Sequence, residues 1–167
     1  MRLDKVALGL ALALGLLGCA KAPSSGPGSA GAGPDADPPW PNLVSCLGAN
    51  TEDPQFKEFA AKYQMMDSTR GGLSGMWSPP GRGAALVCKD EVVIRVVVIS
   101  QRPRGSPLKA YRGALPYGLT TQDTFEGVLK KFGEPSCRQG RSVLLYAQRK
   151  QGFMFLNGTL CEMTQEK

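Results

Sequence analysis

Two stretches of this chain, 69 residues apart, carry the same spacing of large apolar side chains. Apolar residues at i, i+3, i+4 and i+7 line one face of an α-helix, so each stretch predicts an amphipathic helix. The same shift superimposes Trp77 on Tyr146 and Gly83 on Gly152, which indicates an internal duplication. The helix positions are Phe56, Phe59, Ala60 and Tyr63 in the first stretch, and Phe125, Val128, Leu129 and Phe132 in the second.

The flanking residues indicate where these helices begin and end. Asp53-Pro54 supplies an N-cap followed by a proline at the first helical position. Either Thr120 or Asp123 can cap the second helix, and the sequence leaves that choice open. Gly133 followed by Pro135 is a typical helix end.

Strand patterns follow each helix. Ala84–Cys88 and Val92–Ser100 flank a short turn, and Phe153–Leu156 and Thr159–Met163 flank Asn157-Gly158. Asn-Gly between apolar runs predicts a β-hairpin, because both central residues of a type I′ turn need a positive φ.

One run, Val92–Ile99, is nearly continuous in β-branched residues and predicts a central strand buried on both faces. Arg95 interrupts it and indicates an edge or a face open to solvent. Ser142–Arg149 predicts one more strand.

These patterns predict an α+β fold, a tandem repeat of a helix packed on a small antiparallel sheet. The first unit would cover residues 40–110 and the second 111–167.

The amino terminus has the pattern of an export signal. Arg2 and Lys5 precede the apolar run Val6–Leu17, which is too short for a transmembrane helix because a span needs about 20 residues. The following Leu16-Leu17-Gly18-Cys19 resembles the lipobox of bacterial lipoprotein precursors.

This resemblance implies a signal peptide over residues 1–18, cleavage between Gly18 and Cys19, and acyl chains on Cys19, which becomes the mature amino terminus. Ala20 and Lys21 follow, without the Asp that retains such proteins at the inner membrane, which implies an outer-membrane location, periplasmic or surface-facing. The alternative is an ordinary secretory signal peptide, although an A-x-A cleavage site is lacking.

Residues 19–39 contain the lipidated cysteine and a segment of Ala, Gly, Pro and Ser. Such a composition cannot bury a core and predicts a flexible, disordered linker.

Four cysteines follow the linker: Cys46, Cys88, Cys137 and Cys161. An even number in an exported chain predicts two disulfides, for which three connectivities are possible. One bridge in each unit would join Cys46 to Cys88 and Cys137 to Cys161. A zinc site is disfavoured, since the chain has no C-x-x-C pair and no histidine.

The charge of the chain is modest and scattered. Residues 1–18 contain Arg2, Lys5 and Asp4, so the 20 basic and 14 acidic residues of the chain become 18 and 13. Nucleic-acid binding is not expected, because it would require a clustered basic patch. An acidic partner protein or an anionic membrane surface remains compatible with the charge.

A second resemblance concerns the folded region. The pattern Leu115-Pro116-x-Gly118-Leu119, followed by a helix that ends at Phe132-Gly133-Glu134-Pro135 and then by strands, resembles two groups of exported proteins. These are the SmpA/OmlA-type outer-membrane assembly lipoproteins, with one helix-plus-sheet unit, and the beta-lactamase inhibitor protein family, with two. The first group usually has Met where this chain has Leu119. The resemblance implies the helix-plus-sheet fold and a protein-binding role.

No catalytic constellation is found in the sequence. The lack of histidine excludes a Ser-His-Asp triad, and Asp90-Glu91 lies at a predicted turn, where acidic residues are common. A hydrolase that uses Asp90 or Glu91 is a remote alternative. Trp77 and Arg82 flank a proline-rich stretch that would form either a recognition loop or a lid on the core.

The sequence therefore predicts an outer-membrane-anchored lipoprotein with a non-catalytic domain that binds an unknown protein, without cofactor or metal. It would act as a scaffold or accessory subunit of an envelope complex. The alternative is an inhibitor or immunity protein that blocks an enzyme or toxin.

Overall fold

The computed structural model describes residues 36–68, 74–101 and 109–167 of the chain. The α-helices there are α1 (Trp40–Ser45), α2 (Pro54–Lys62) and α3 (Phe125–Phe132). The strands are β1 (Met66–Asp67), β2 (Ser74–Ser78), β3 (Ala84–Lys89), β4 (Val92–Ile99), β5 (Cys137–Gln139), β6 (Val143–Tyr146), β7 (Gln151–Leu156) and β8 (Thr159–Glu166). Two short 3₁₀ helices cover Pro116–Gly118 and Ala147–Arg149.

All eight strands belong to one antiparallel sheet, in the order β1-β2-β3-β4-β8-β7-β6-β5. The centre of the sheet is the pairing of β4 with β8, in which Arg95 lies opposite Glu166 and Ile99 opposite Glu162. The edge strands β1 and β5 are the shortest, which limits the unpaired backbone that each edge exposes.

The predicted fold class is therefore wrong. A tandem repeat would give each helix a small sheet of its own, whereas the structure has one eight-stranded sheet and is mostly strand. The physical reason is backbone hydrogen bonding, since a buried strand needs partners along both edges. One edge of β4 pairs with β3, and the other finds its partner in β8.

Local hydrogen bonds explain where the helices begin. The Asp53 carboxylate accepts a hydrogen bond from the Gln55 amide at 2.8 Å, which confirms the predicted start of α2. The N-cap of α3 is Thr124, whose hydroxyl oxygen accepts from the Gly127 amide at 3.1 Å. Neither Thr120 nor Asp123 takes that position.

The helices and one face of the sheet enclose a single hydrophobic core. Phe56 of α2 lies edge-on to Trp77 of β2, with ring centroids 5.3 Å apart. Phe132 of α3 packs against Phe153 of β7 at 4.9 Å. Described residues on both sides of the predicted boundary at residue 110 therefore contribute to the same core.

The last four residues of the predicted linker, 36–39, belong to the folded domain. Pro38 is buried, and its carbonyl accepts a hydrogen bond from the Tyr111 hydroxyl at 2.8 Å. The Arg112 amide donates to the Asp37 carboxylate at 2.7 Å, and the Arg82 guanidinium donates to the Ala36 carbonyl at 2.6 Å. The rest of the linker, the signal peptide and Gly18-Cys19 lie outside the described residues.

Within the described ranges, no helix is both long and apolar enough to cross a membrane.

Gly127 provides a test of the helix assignment. It lies in the first turn of α3, and a Cβ added there would come no closer than 3.4 Å to the Thr124 hydroxyl. We therefore expect Gly127→Ala to raise the free energy of unfolding by about 0.5–1 kcal/mol, because alanine loses less backbone entropy in a helix. Urea denaturation of both proteins measures this difference, and a lower stability of the variant would contradict a helix at this position.

Candidate protein-binding face

Successive side chains along the strands alternate between the core and the opposite side of the sheet. In β4, Val93, Val96 and Val98 are fully buried in the core, whereas Arg95 is exposed and Val97 is partly exposed. The prediction that this strand is buried on both faces is thus wrong, and the interpretation of Arg95 as a sign of a solvent-open face is confirmed. The α-helices of the described residues all pack on the Val96 side.

We call the other side of the sheet the open face. The cross-strand pairs of β3, β4, β8, β7 and β6 place alternate residues of every strand on it. Its members include Met66, Met76, Ala85, Val87, Arg95, Val97, Ile99, Cys137, Val143, Leu145, Gly152, Met154, Glu162, Thr164 and Glu166.

Large apolar side chains are unusually accessible on the open face. Met66 is 61% exposed, Met76 44%, Met154 43% and Leu145 40%. Methionine is flexible and polarisable, so it adapts to partners of different shape and is frequent at protein-binding surfaces. An apolar surface of this kind, with charges interspersed, is typical of an interaction site.

Two of the depressions that described residues form on the open face differ in size. The smaller, of about 100 Å³, lies at its β2–β4 end, with Met76, Ala85 and Val97 in its wall. The larger, of about 280 Å³, lies over Gly152 and is bordered by Leu145 and Met154. Arg95 and Glu166 form an ion pair at 2.5 Å beside this larger depression.

The structure gives Trp77 and Arg82 separate positions. Trp77 belongs to β2, is partly buried and packs on the core side against Phe56, as the core-lid alternative predicted. Arg82 is partly buried, and its guanidinium donates a hydrogen bond to the Ala36 carbonyl. Arg82 also borders the smaller depression of the open face, and a role of the two residues as a recognition loop stays a prediction.

All four described cysteines are free thiols in this structure. Cys137 is exposed on the edge strand β5, while Cys161 is buried on β8. Two strands lie between them, so at roughly 4.8 Å per step they are about 14 Å apart. A disulfide needs Cα atoms about 4.4–6.8 Å apart, and the predicted Cys137–Cys161 bridge is therefore wrong for this fold.

Cys46 and Cys88 are closer to each other. Both are buried, and Cys88 lies opposite Val93, whose carbonyl accepts a hydrogen bond from the Gly48 amide at 2.8 Å. Burial raises the pKa of each thiol to about 11, and the neighbouring Cys88 adds to the rise at Cys46. The Cys46–Cys88 bridge stays a prediction.

Alkylation with iodoacetamide at mildly alkaline pH tests this arrangement. We expect Cys137 to react first, because it is exposed and reaction requires the thiolate. Cys46 and Cys88 should react slowly, since they are buried and their raised pKa values keep them protonated. Peptide mapping without reduction shows in addition whether a disulfide joins Cys46 to Cys88. Equal alkylation rates at Cys46, Cys88 and Cys137 would contradict the assigned burial.

Asp90 and Glu91 form the turn between β3 and β4, both with positive φ and both exposed. Within residues 36–68, 74–101 and 109–167, no group of three or more Cys, Asp or Glu side chains is arranged to hold a metal ion.

The residues of the open face were not identified from the sequence, because β2 was not predicted as a strand and because β5 and β1 are too short to show alternation. The signal that could have found it is the period of two in Gly152-Phe153-Met154-Phe155-Leu156, where buried phenylalanines alternate with exposed apolar residues.

Comparisons of the chain with protein-family models, with curated proteins and with solved structures found no match.

Proposed function

We propose that this chain is an outer-membrane-anchored lipoprotein whose domain binds another protein through the open face. The observation that carries the proposal is the exposure of Met66, Met76, Leu145 and Met154 on one side of a sheet whose other side is covered by helices. Leaving these side chains in water has a free-energy cost that a partner would remove.

A protein partner suits this surface better than a small molecule does. The apolar side chains are spread from β1 to β6, and the larger depression, about 280 Å³, is slightly below the range typical of drug-sized ligands. An apolar centre with charges beside it, here Arg95 and Glu166, has the composition of a protein–protein interface.

The lipobox resemblance supports the anchor. Acyl chains on Cys19 would hold the domain at the membrane, with the Ala/Gly/Pro/Ser segment before Ala36 as the tether. Asp37 and Pro38, which follow this segment in the chain, contact Arg112 and Tyr111. A scaffold or accessory subunit of an envelope complex needs such an anchored, rigid surface.

Site-specific photo-crosslinking in intact cells tests the binding face. A photoreactive residue at Met76 or Met154 should give adducts with a partner, because both side chains are exposed on the open face. Glu58 of α2, exposed on the helix side, is the matched control and should give none. Adducts from Glu58 and none from the methionines would contradict the proposal.

The identity of the adduct separates the two roles considered for the chain. A component of an envelope-assembly or secretion complex supports the scaffold. A soluble hydrolase or toxin supports an inhibitor or immunity protein instead.

Metabolic labelling with a fatty acid tests the anchor. The protein should become labelled, and Cys19→Ser should abolish both the label and the membrane association, while Cys137→Ser changes neither. An unlabelled protein, or a Cys19→Ser variant that still partitions into membranes, would contradict lipid anchoring.

A further inference from the structure

The larger depression on the open face lies over Gly152 of β7. Val97, Thr164, Gly152 and Leu145 lie side by side across β4, β8, β7 and β6. A Cβ added to Gly152 would lie 2.7 Å from the Thr164 hydroxyl oxygen and 3.2 Å from a methyl group of Leu145. The side chains of Thr164 and Leu145 thus lie close over Gly152, and all three residues border the depression of about 280 Å³.

Charged residues lie on both sides of this space. On one side Arg95 is paired with Glu166 at 2.5 Å, and both side chains are about half exposed. On the other side Glu162 lies between Ile99 and Met154 in the cross-strand order. Glu162 is half-buried, and its carboxylate makes no hydrogen bond or ion pair with any residue that the structure describes.

The unpaired carboxylate gives the depression an excess of negative charge. The depression is bordered by two carboxylates, Glu162 and Glu166, and by one guanidinium, Arg95. The whole chain, in contrast, has a net charge of +6. Burial raises the pKa of Glu162, while the charge of Arg95 acts in the opposite direction. The carboxylate is thus partly desolvated without a partner of its own.

A protein that covered the open face would desolvate Glu162 further. An apolar or acidic contact would leave a buried, unpaired carboxylate, which is strongly unfavourable. A positive charge placed beside Glu162 would instead form a charge-assisted hydrogen bond. The exposed side chains of Leu145 and Met154 offer apolar surface to the carbon chain that carries the charge.

We propose that the depression over Gly152 receives a lysine or arginine side chain of the partner, with its charged group at Glu162. The inference rests on the proposed function, since it names the chemistry of the partner at the open face. Leu145 and Met154 hold the carbon chain, and the Arg95–Glu166 pair borders the site on the opposite side. The site selects partners that present a basic side chain in an otherwise apolar surface.

The test uses the purified mature lipoprotein in detergent, with labelled methionine methyl groups observed by NMR. The probe is n-butylguanidinium, a short alkyl chain with the charged group of arginine, and pentanoate is an anionic probe of similar length. Butylguanidinium should shift the Met154 methyl signal in a saturable way, because Met154 borders the depression. The signals of the buried Met65 and Met163 should stay in place and report that the fold is intact.

Substitutions test which residues form the binding site for butylguanidinium. Glu162→Gln should weaken butylguanidinium binding about tenfold, the effect of losing a hydrogen bond to a charged group. Gly152→Ala should also weaken binding, because the new methyl group would displace the side chains of Thr164 and Leu145, which border the depression. Glu58→Gln, on exposed α2, should leave binding unchanged.

A shift of Met154 that does not saturate, equal binding of pentanoate, or unchanged binding in Glu162→Gln would overturn the inference. Photo-adducts from Met76 and Met154 together with such a result would show that the open face binds protein without a basic anchor. If butylguanidinium binds but Met76 and Met154 give no photo-adducts, the proposed function would be contradicted. The preference of the depression for a cation would still stand.

Discussion

Replacing Phe153 by alanine should lower the free energy of unfolding by about 3–5 kcal/mol, the range for truncating a buried phenylalanine. Phe153 is 1% exposed and lies on the core face of β7. Its ring lies 4.9 Å from that of Phe132 and 5.8 Å from that of Tyr146, measured between centroids. Its removal would therefore leave a cavity between α3 and the sheet.

The next residue in the chain is the matched control. Met154 is on the same strand but points to the open face, where it is 43% exposed. Met154→Ala should change stability by less than about 0.5 kcal/mol, as exposed substitutions usually do. Urea denaturation of the three proteins measures both effects. Equal losses for the two variants would mean that the faces of β7 are assigned incorrectly.

Gly83→Ala should destabilise the protein by about 3 kcal/mol, at the upper end of the cost of inserting a methyl group into a packed site. A Cβ at Gly83 would lie 2.5 Å from the Tyr111 amide nitrogen, 2.7 Å from the Ile99 carbonyl oxygen and 2.8 Å from the Lys109 carbonyl oxygen. All three are backbone atoms. They cannot move aside easily, because Tyr111 donates to the Ile99 carbonyl at 2.7 Å and Ile99 donates to the Gly83 carbonyl at 2.7 Å.

The sign of the effect distinguishes this glycine from Gly127, where the same substitution should stabilise α3. Thermal or urea unfolding of the two variants side by side gives the comparison. A Gly83→Ala protein as stable as the unsubstituted one would show that Ile99 and Tyr111 do not approach Gly83 as closely as the structure has them.

Local patterns in the sequence were sufficient to predict the helices and turns whose formation depends on neighbouring residues. Asp53-Pro54 and the spacing Phe56-Phe59-Ala60 predicted α2, and Asn157-Gly158 predicted the β7–β8 hairpin, where both turn residues have positive φ. These features depend on hydrogen bonds and backbone preferences within a few residues.

The arrangement of the sheet could not be predicted in the same way. The pairing of β4 with β8 joins residues that are far apart in the sequence, such as Arg95 and Glu166. Nothing in the sequence of either strand specifies the other as its partner. β4 is rich in β-branched residues, which fit any sheet. Two separate small sheets and one large sheet were therefore equally compatible with the strand patterns.

The candidate site was predicted only in part. Arg95 marked the solvent-open face, but Trp77, the most conspicuous aromatic residue, belongs to the core side. The site residues Gly152 and Glu162 come together only because β7 and β8 are adjacent in the sheet. Their proximity is a consequence of the pairing that the sequence left open.

Methionine oxidation by hydrogen peroxide, followed by mass spectrometry, tests the central claim most directly. In the purified lipoprotein, Met66, Met76 and Met154 should oxidise rapidly and the buried Met65 and Met163 slowly. In native envelopes the claim predicts that Met76 and Met154 become protected, because a partner protein covers the open face, while Met65 and Met163 remain as slow as before. Oxidation of Met76 and Met154 at the same rate in envelopes and in the purified protein would contradict a protein-binding role for this face.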